Sequence, residues 1–297
     1  MIVTQASINA LFVAFKVVFQ KAQTGTPTDW QKIATVVPSS TRSNTYAWLG
    51  QFPAFREWVG DRVLKDMAAH GYTIDNKKYE SSIVVSRTDI EDDQIGVYSP
   101  LIEEMGRAST AHPNELVFAL LKAGLTTKCY DGQNFFDTDH PVYPNSDATG
   151  DAVSVSNFQD GEGPAWYLLD VSRAIKPIIF QKRQDYDLKA MTRVDDESVF
   201  MRDEYRYGVD ARVNAGFGFW QFAYCSKAPL TVENYEAARA AMMDFKSDGG
   251  RPLGVLPGML LVPPVLEGKA RSLLVKDANG GNPWAGTAEP LVSTWLS

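Results

Sequence analysis

The sequence predicts an α+β protein built around an elongated sheet, and three observations carry that prediction. First, in "YRYGVDARVNAGFGF" Tyr205, Tyr207, Val209, Ala211, Val213, Ala215, Phe217 and Phe219 alternate with polar or glycine positions. A fault-free period of two puts one apolar and one polar face on a strand. Second, apolar residues recur at helical spacing in the N-terminal segment and again over 99–124. Third, the last third of the chain alternates helical and strand patterns.

Bulk properties narrow the classes. The 297 residues are 44% hydrophobic and 22% charged, the balance of an ordinary globular protein. A net charge of −7 excludes a protein that wraps nucleic acid through a general basic surface. Cys129 and Cys225 are the only cysteines, too few for a disulfide framework or a cysteine-built zinc site, so reduced thiols in a cytosolic setting are expected. No basic n-region or cleavage site marks the N-terminus, and no run reaches the ~20 apolar residues that span a bilayer, so neither export signal nor membrane anchor is expected.

Ile8, Leu11, Phe12, Phe15, Val18 and Phe19 predict an amphipathic helix, with Thr4 or Ser7 as N-cap, that docks on its own core or on a neighbouring chain. "TGTPTD" breaks it. From Trp30 to Arg87, β-rich flanks surround polar centres and the aromatics Phe52, Phe55 and Trp58, with Asp75-Asn76 as a turn candidate. A hairpin-like excursion is the expectation. Asp89, Glu91, Asp92 and Asp93 read as a solvated acidic face, since no glycine-bracketed calcium loop accompanies them. Ser99-Pro100 starts a helix carrying Leu101, Met105, Ala108, Leu116 and Leu120, and Pro113 predicts a kink or a division into two helices. Gly208, Gly216 and Gly218 predict bends or bulges in the long strand. At Trp220, Phe222 and Tyr224 the apolar phase switches, which predicts a bulge or a strand covered on both faces. Thr231 caps a helix through Phe245 that Gly249-Gly250 ends; "GMLLVPP" is a buried strand, "VLEGKARSLLV" a helix, and "NPWAGTAEPLVSTWL" a turn and final strand.

Chemistry is sparse. Of His70, His112 and His140 none forms a metal pair, and HExxH, GxSxG, phosphate-loop and dinucleotide motifs are missing. "YDGQNFFDTDHPVYP" gathers Asp131, Asp137, Asp139 and His140. A metal or acid/base site built on Asp137, Asp139 and His140 lacks a second ligand cluster elsewhere. Capped turns stiffened by Pro141 and Pro144 are the favoured reading, and Asp131-Gly132 is itself a turn signal. No catalytic, cofactor-binding or metal-ligating residue is therefore expected. The mixed charges of "QKRQDYDLKAMTRVDDESVFMRDEYR" fit a solvated sheet rim or an interface between copies.

"SSTRSNTYAWLGQFP", "EWVGDR", "AHGYTIDNKKYE", "YDGQNFFDTDHPVYPN", "FGFWQFA" and "LLVPPVLEGKA" together resemble the major head (capsid) proteins of Mu-like phages and prophages, in order and over almost the whole chain. The resemblance implies the Hong Kong 97-type capsid fold: an N-terminal arm and an extended β-hairpin loop reaching over neighbours, a peripheral domain with a long spine helix, and an axial domain. Carried onto this chain, it implies an arm at 1–30, an extended loop at 31–88, a peripheral domain at 89–125 and 165–230, and an axial domain at 126–164 and 231–297. In many such shells the long strands lie near the C-terminus, whereas about 70 residues follow them here. The implied function is a major capsid protein that self-assembles, as pentamers and hexamers, into the icosahedral head shell around double-stranded DNA, without sequence-specific recognition of it. Portal and decoration proteins are implied partners, and the missing coiled N-terminal extension implies a separate scaffolding protein. The implied location is the virion, assembled in the bacterial host cytoplasm. A non-viral compartment of the same fold and a metal-dependent hydrolase using Asp137, Asp139 and His140 are the rival readings.

Overall fold

The computed structural model describes residues 3–50, 52, 71–92, 94–193, 195–275 and 281–297. The expected excursion's tip, with Phe55, Trp58 and His70, lies outside these residues, as does Asp93.

Helix α1, Gln5–Gly25, opens with a capping box between Thr4 and Ser7. After the break come a single turn, α2 (Trp30–Ile33), and strand β1 (Ala34–Pro38). Strands β2 (Ser43–Tyr46) and β3 (Tyr72–Asp75) pair antiparallel, from Ser43 opposite Asp75 to Tyr46 opposite Tyr72, and form the stem of the excursion. Asn76 is not a hairpin turn. It is where the chain leaves that ribbon and enters β4 (Lys77–Ser86), which belongs to another sheet. Helix α3 (Arg87–Glu91) turns the chain into α4 (Ser99–Lys122).

Helix α4 is one element through Pro113, so of the two alternatives expected there the division into two helices does not occur. Contacts on both sides of the proline hold it. The Gln23 amide donates to Ser109 Oγ at 3.1 Å, and Asn114 Oδ1 accepts the Trp30 N–H at 3.0 Å. Its core-facing residues include Ile102, Met105, Val117, Phe118 and Leu121, whereas Leu101 faces solvent.

The short strands β5 (His140–Val142) and β6 (Val153–Val155) pair with each other. Then come β7 (Phe158–Gln159), β8 (Trp166–Leu169), the long β9 (Ile178–Met191), the short helix α5 (Glu197–Arg202) and the long β10 (Glu204–Phe217). Each long strand has 14 residues and so spans ~45 Å at ~3.3 Å per residue. The first sheet runs β1-β9-β10-β4. Its irregular register lies between Asp210 and Val213, with the extra residues on β9, and not at Gly208 or Gly216. Those glycines instead permit close approach. A Cβ on Gly208 would stand 2.8 Å from Ser82 Oγ, and one on Gly216 would stand 2.1 Å from Ile74 Cδ1.

The phase switch after Phe217 has a structural cause. Residues Trp220–Phe222 form a 3-10 turn that carries the chain out of the first sheet into β11 (Ala223–Ser226) of a second. Helix α6 (Val232–Met243), capped by Thr231, is followed by β12 (Met259–Val262), α7 (Glu267–Leu274) and β13 (Glu289–Val292). Gly249 and Gly250 lie beyond the end of α6, in a left-handed turn. The second sheet runs β13-β12-β8-β11-β7. Every residue of β8, β11 and β12 is buried, which explains why "GMLLV" reads as a continuous apolar run. This sheet joins strands from 158–169 and 223–226 to strands from 259–292, so it runs across the borders expected at 165 and 230.

Candidate functional site

Two regions bear on function: the projecting parts of the chain and the turn around His140.

The N-terminal segment expected as an arm over neighbours is docked on its own chain. Ile8, Leu11, Phe15 and Phe19 of α1 form a cluster with Ile102 and Met105 of α4 and with Val85, Leu188, Tyr205, Tyr207 and Val209 of the first sheet. The apolar face of β10 needs a cover, and α1 supplies it. Phe15 meets Tyr207 edge-on with ring centres 5.1 Å apart. Gly106 lets the helices close: a Cβ there would stand 2.6 Å from Phe19 O and 2.9 Å from Ala22 Cβ.

The stem of the excursion is also rooted on its own chain. Tyr46 donates to Gln181 Oε1 at 2.9 Å, Gln181 donates to Ile74 O at 3.0 Å, and Tyr72 Oη accepts the Phe217 N–H at 2.9 Å. Phe52 packs on Phe219 at 4.7 Å. At the far end of the β9–β10 hairpin, α5 exposes Phe200 and Met201, 81% and 69% accessible. Leu256, Val265 and Val275 are exposed elsewhere. Much of the mixed-charge run pairs internally, with Lys189 on Asp210, Lys182 on Asp185 at 2.6 Å and Arg206 on Glu204 at 3.2 Å. Such exposed pairs contribute little stability.

Around His140 the sequence neighbours part company. Asp137 caps its own turn, accepting from Thr138 N at 2.7 Å and Asn134 N at 3.2 Å. Asp139 accepts the Ser154 hydroxyl across the β5–β6 ribbon. Neither carboxylate is joined to His140, which is fully buried and bonds through Nδ1 to Asp131 Oδ2 at 2.7 Å. The hydrolase set Asp137, Asp139 and His140 is therefore not brought to one point. Asp131 sits on a tight hairpin closed by a bridge between Lys128 and Asn134, and its other oxygen accepts from Gln133 N and Cys129 Sγ, each at 3.0 Å. Burial pushes the Asp131 carboxyl up, but the His140 bond and its other donors outweigh this and hold it below its ordinary value. Burial pushes the Cys129 thiol far up, so it is no nucleophile.

Asn157, which sequence reasoning did not single out, organises the turn. Its amide nitrogen donates to the carbonyls of Phe135, Ala223 and Trp220, and its Oδ1 accepts from Asp137 N at 2.9 Å and faces His140 Nε2 at 3.2 Å. The imidazole lies flat on Trp220, with ring centres 4.0 Å apart and planes 9° apart.

The model of the Mu-like prophage major head subunit gpT matches residues 8–296. The chain belongs to that family. It is 50% identical to the major capsid protein of Escherichia phage Mu over 280 residues, 93% of this chain and 92% of the phage protein. It is equally similar to the Mu-like prophage FluMu major head subunit of Haemophilus influenzae, over 93% of this chain and 91% of that one. Among solved structures, the procapsid subunit of bacteriophage JBD30 superposes with a TM-score of 0.87 and 53% identity, covering 99% of this chain and all of that one. The capsid of the same phage gives a TM-score of 0.74 with 43% identity, covering all of both chains. The Mu-like head subunit described here is thus a phage major capsid protein of the Hong Kong 97-type fold, a structural component of the head shell.

Proposed function

We propose that this subunit builds a closed shell of pentamers and hexamers around double-stranded DNA, without chemistry of its own, and that a separate scaffolding protein directs its assembly. The observation that carries the reading is the superposition on a procapsid subunit over nearly the whole chain. The chain follows the procapsid subunit more closely than the capsid subunit of the same phage, and it holds α1 against its own spine helix. The first of these supports a precursor-shell conformation. The first sheet with α1, α4 and α5 then serves as the peripheral part, and the second sheet with α6 and α7 as the axial part. The borders fall at the sheet crossings near 170–178 and 217–223.

Exposed Phe200 and Met201 at the hairpin tip, and Leu256, Val265 and Val275, supply apolar contacts between copies. Each contact can be weak, because several engage at once and the effective concentration rises with every one made. The net charge of −7 suits an inner wall from which DNA must slide freely. The portal and a decoration protein complete the head, which assembles in the host cytoplasm. Electron microscopy of the purified protein, alone and co-expressed with a candidate scaffold, tests this. Rings, tubes or closed shells are expected. A stable monomer at high concentration in both preparations overturns it.

A further inference from the structure

Among the described residues, one group of chemically different side chains converges at the edge of the larger apolar core, of which Cys129 is itself a member. Cys129 and Asp131 come from the 128–134 hairpin, and His140 opens β5. One ligand atom from each lies within 4.8 Å of the other two. We propose that Cys129, Asp131 and His140 form a binding site for a single divalent metal ion of the zinc type, with its fourth position open to solvent.

The donor set selects the ion. With its proton displaced by the ion, the Cys129 sulfur joins an imidazole and a carboxylate in a set that suits zinc, whereas calcium and magnesium take oxygen ligands throughout. The spacing fits as well. Tetrahedral zinc, with bonds of ~2.0–2.1 Å to nitrogen or oxygen and ~2.3 Å to sulfur, sets its ligand atoms roughly 3.3–3.6 Å apart. The hydrogen-bonded atoms here are 2.7 Å apart for the imidazole and carboxylate and 3.0 Å for the thiol and carboxylate. Opening these two by under an ångström as the ion replaces the bridging protons, with the Cys129 sulfur and the imidazole, already within 4.8 Å, brought to the same spacing, reaches that geometry.

A second, independent observation is the support behind His140. Three carbonyls fix the Asn157 amide so that its oxygen, and not its nitrogen, faces Nε2. Nε2 therefore carries a proton, and Nδ1, whose own proton bridges to Asp131 until an ion displaces it, is the nitrogen turned toward the Asp131 carboxylate. A metal-ligating histidine is held in this way, its far N–H donated to an oxygen that fixes tautomer and ring plane. Trp220 beneath the ring, itself packed edge-on against Phe245, prevents rotation. Access is also present. Asp131 and Cys129 line a shallow open cleft with Tyr72, Thr73, Lys128 and Gly132, which gives an ion a path to two of the three ligands, with His140 buried behind them. Bound, it ties the 128–134 hairpin to β5 and, through Tyr130 against Gly50, stiffens the root of the excursion.

The test uses the full chain, kept reduced and stripped with a chelator, titrated with cobalt(II). Saturation near one ion per chain is expected, with visible bands of tetrahedral cobalt and a near-ultraviolet sulfur-to-cobalt band that zinc abolishes. Cys129→Ser, checked for unchanged circular dichroism, removes the sulfur band, whereas Cys225→Ala retains it. A folded wild-type chain without the sulfur band overturns the proposal, whatever the variants do. So does a band that survives Cys129→Ser and disappears with Cys225→Ala.

Discussion

Replacing Gly106 by alanine tests whether α1 lies on its own subunit, because the two alternatives predict opposite signs. Gly106 is buried in the middle of α4. On a helix with a free face, Gly→Ala stabilises by roughly 0.8–1.0 kcal/mol through backbone entropy. Here the new methyl would stand 2.6 Å from Phe19 O and 2.9 Å from Ala22 Cβ, and the nearer atom is backbone that cannot rotate away. The helices must separate. Overpacking of this kind costs about 1–3 kcal/mol, so the propensity gain is cancelled and a net loss of up to about 2 kcal/mol remains. Urea unfolding of the full chain reads the sign, and amide exchange over 8–22 reads the location, since a displaced α1 loses protection before the second sheet does. A Gly106→Ala chain that is about 1 kcal/mol more stable, with unchanged exchange in α1, would refute the docking described above.

Two further outcomes follow from the same contacts. His112 of α4 lies between Tyr79 of β4, with ring centres 4.3 Å apart, and Tyr186 of β9, whose hydroxyl is 2.5 Å from Nδ1. Burial holds its imidazole below the ordinary 6.5, with Glu115 opposing. The unfolded chain thus takes up the proton first, and stability falls as pH drops through about 6.5, levelling off below the depressed folded value. His112→Gln should flatten the pH dependence of the urea midpoint in that window; an unchanged slope would count against the burial argument. Phe200→Ser combined with Met201→Ser should leave the urea midpoint within about 0.5 kcal/mol, because both side chains face solvent, yet reduce the yield of closed particles in electron microscopy. Normal particles from the double variant would remove the hairpin tip from the list of contacts between copies.

Periodicity made the long strand, the two long helices and the buried "GMLLV" strand legible, because each has one repeated environment along its length. Sequence reasoning lost accuracy where an element changes environment. The phase switch at Trp220 reads like a bulge, but it marks the crossing between two sheets, which only the partners of β10 and β11 reveal. Asp75-Asn76 has turn chemistry and yet connects strands of different sheets, because β4 finds ten residues of partner on β10 and none on β3. Glycine spacing predicted bends, whereas at Gly208 and Gly216 the missing side chain makes room for Ser82 and Ile74.

The turn at His140 shows most clearly what a linear reading misses. Asp137, Asp139 and His140 are adjacent in the chain, and adjacency invites a common site. In a capped turn, however, each carboxylate bonds the nearest free donor, so Asp137 is consumed by Thr138 and Asn134 and Asp139 by Ser154. The imidazole, with no exposed surface of its own, must still satisfy both nitrogens. It does so with Asp131, nine residues before it, and Asn157, 17 residues after it. The signal that could have pointed to such partners is the cost of burial: a histidine stacked on Trp220 needs polar groups for both nitrogens, and Asp131 and Asn157 are the ones that reach it. Chemistry gathers in this fold wherever a buried polar group has to be satisfied, and here that necessity also places the Cys129 thiol beside the same carboxylate.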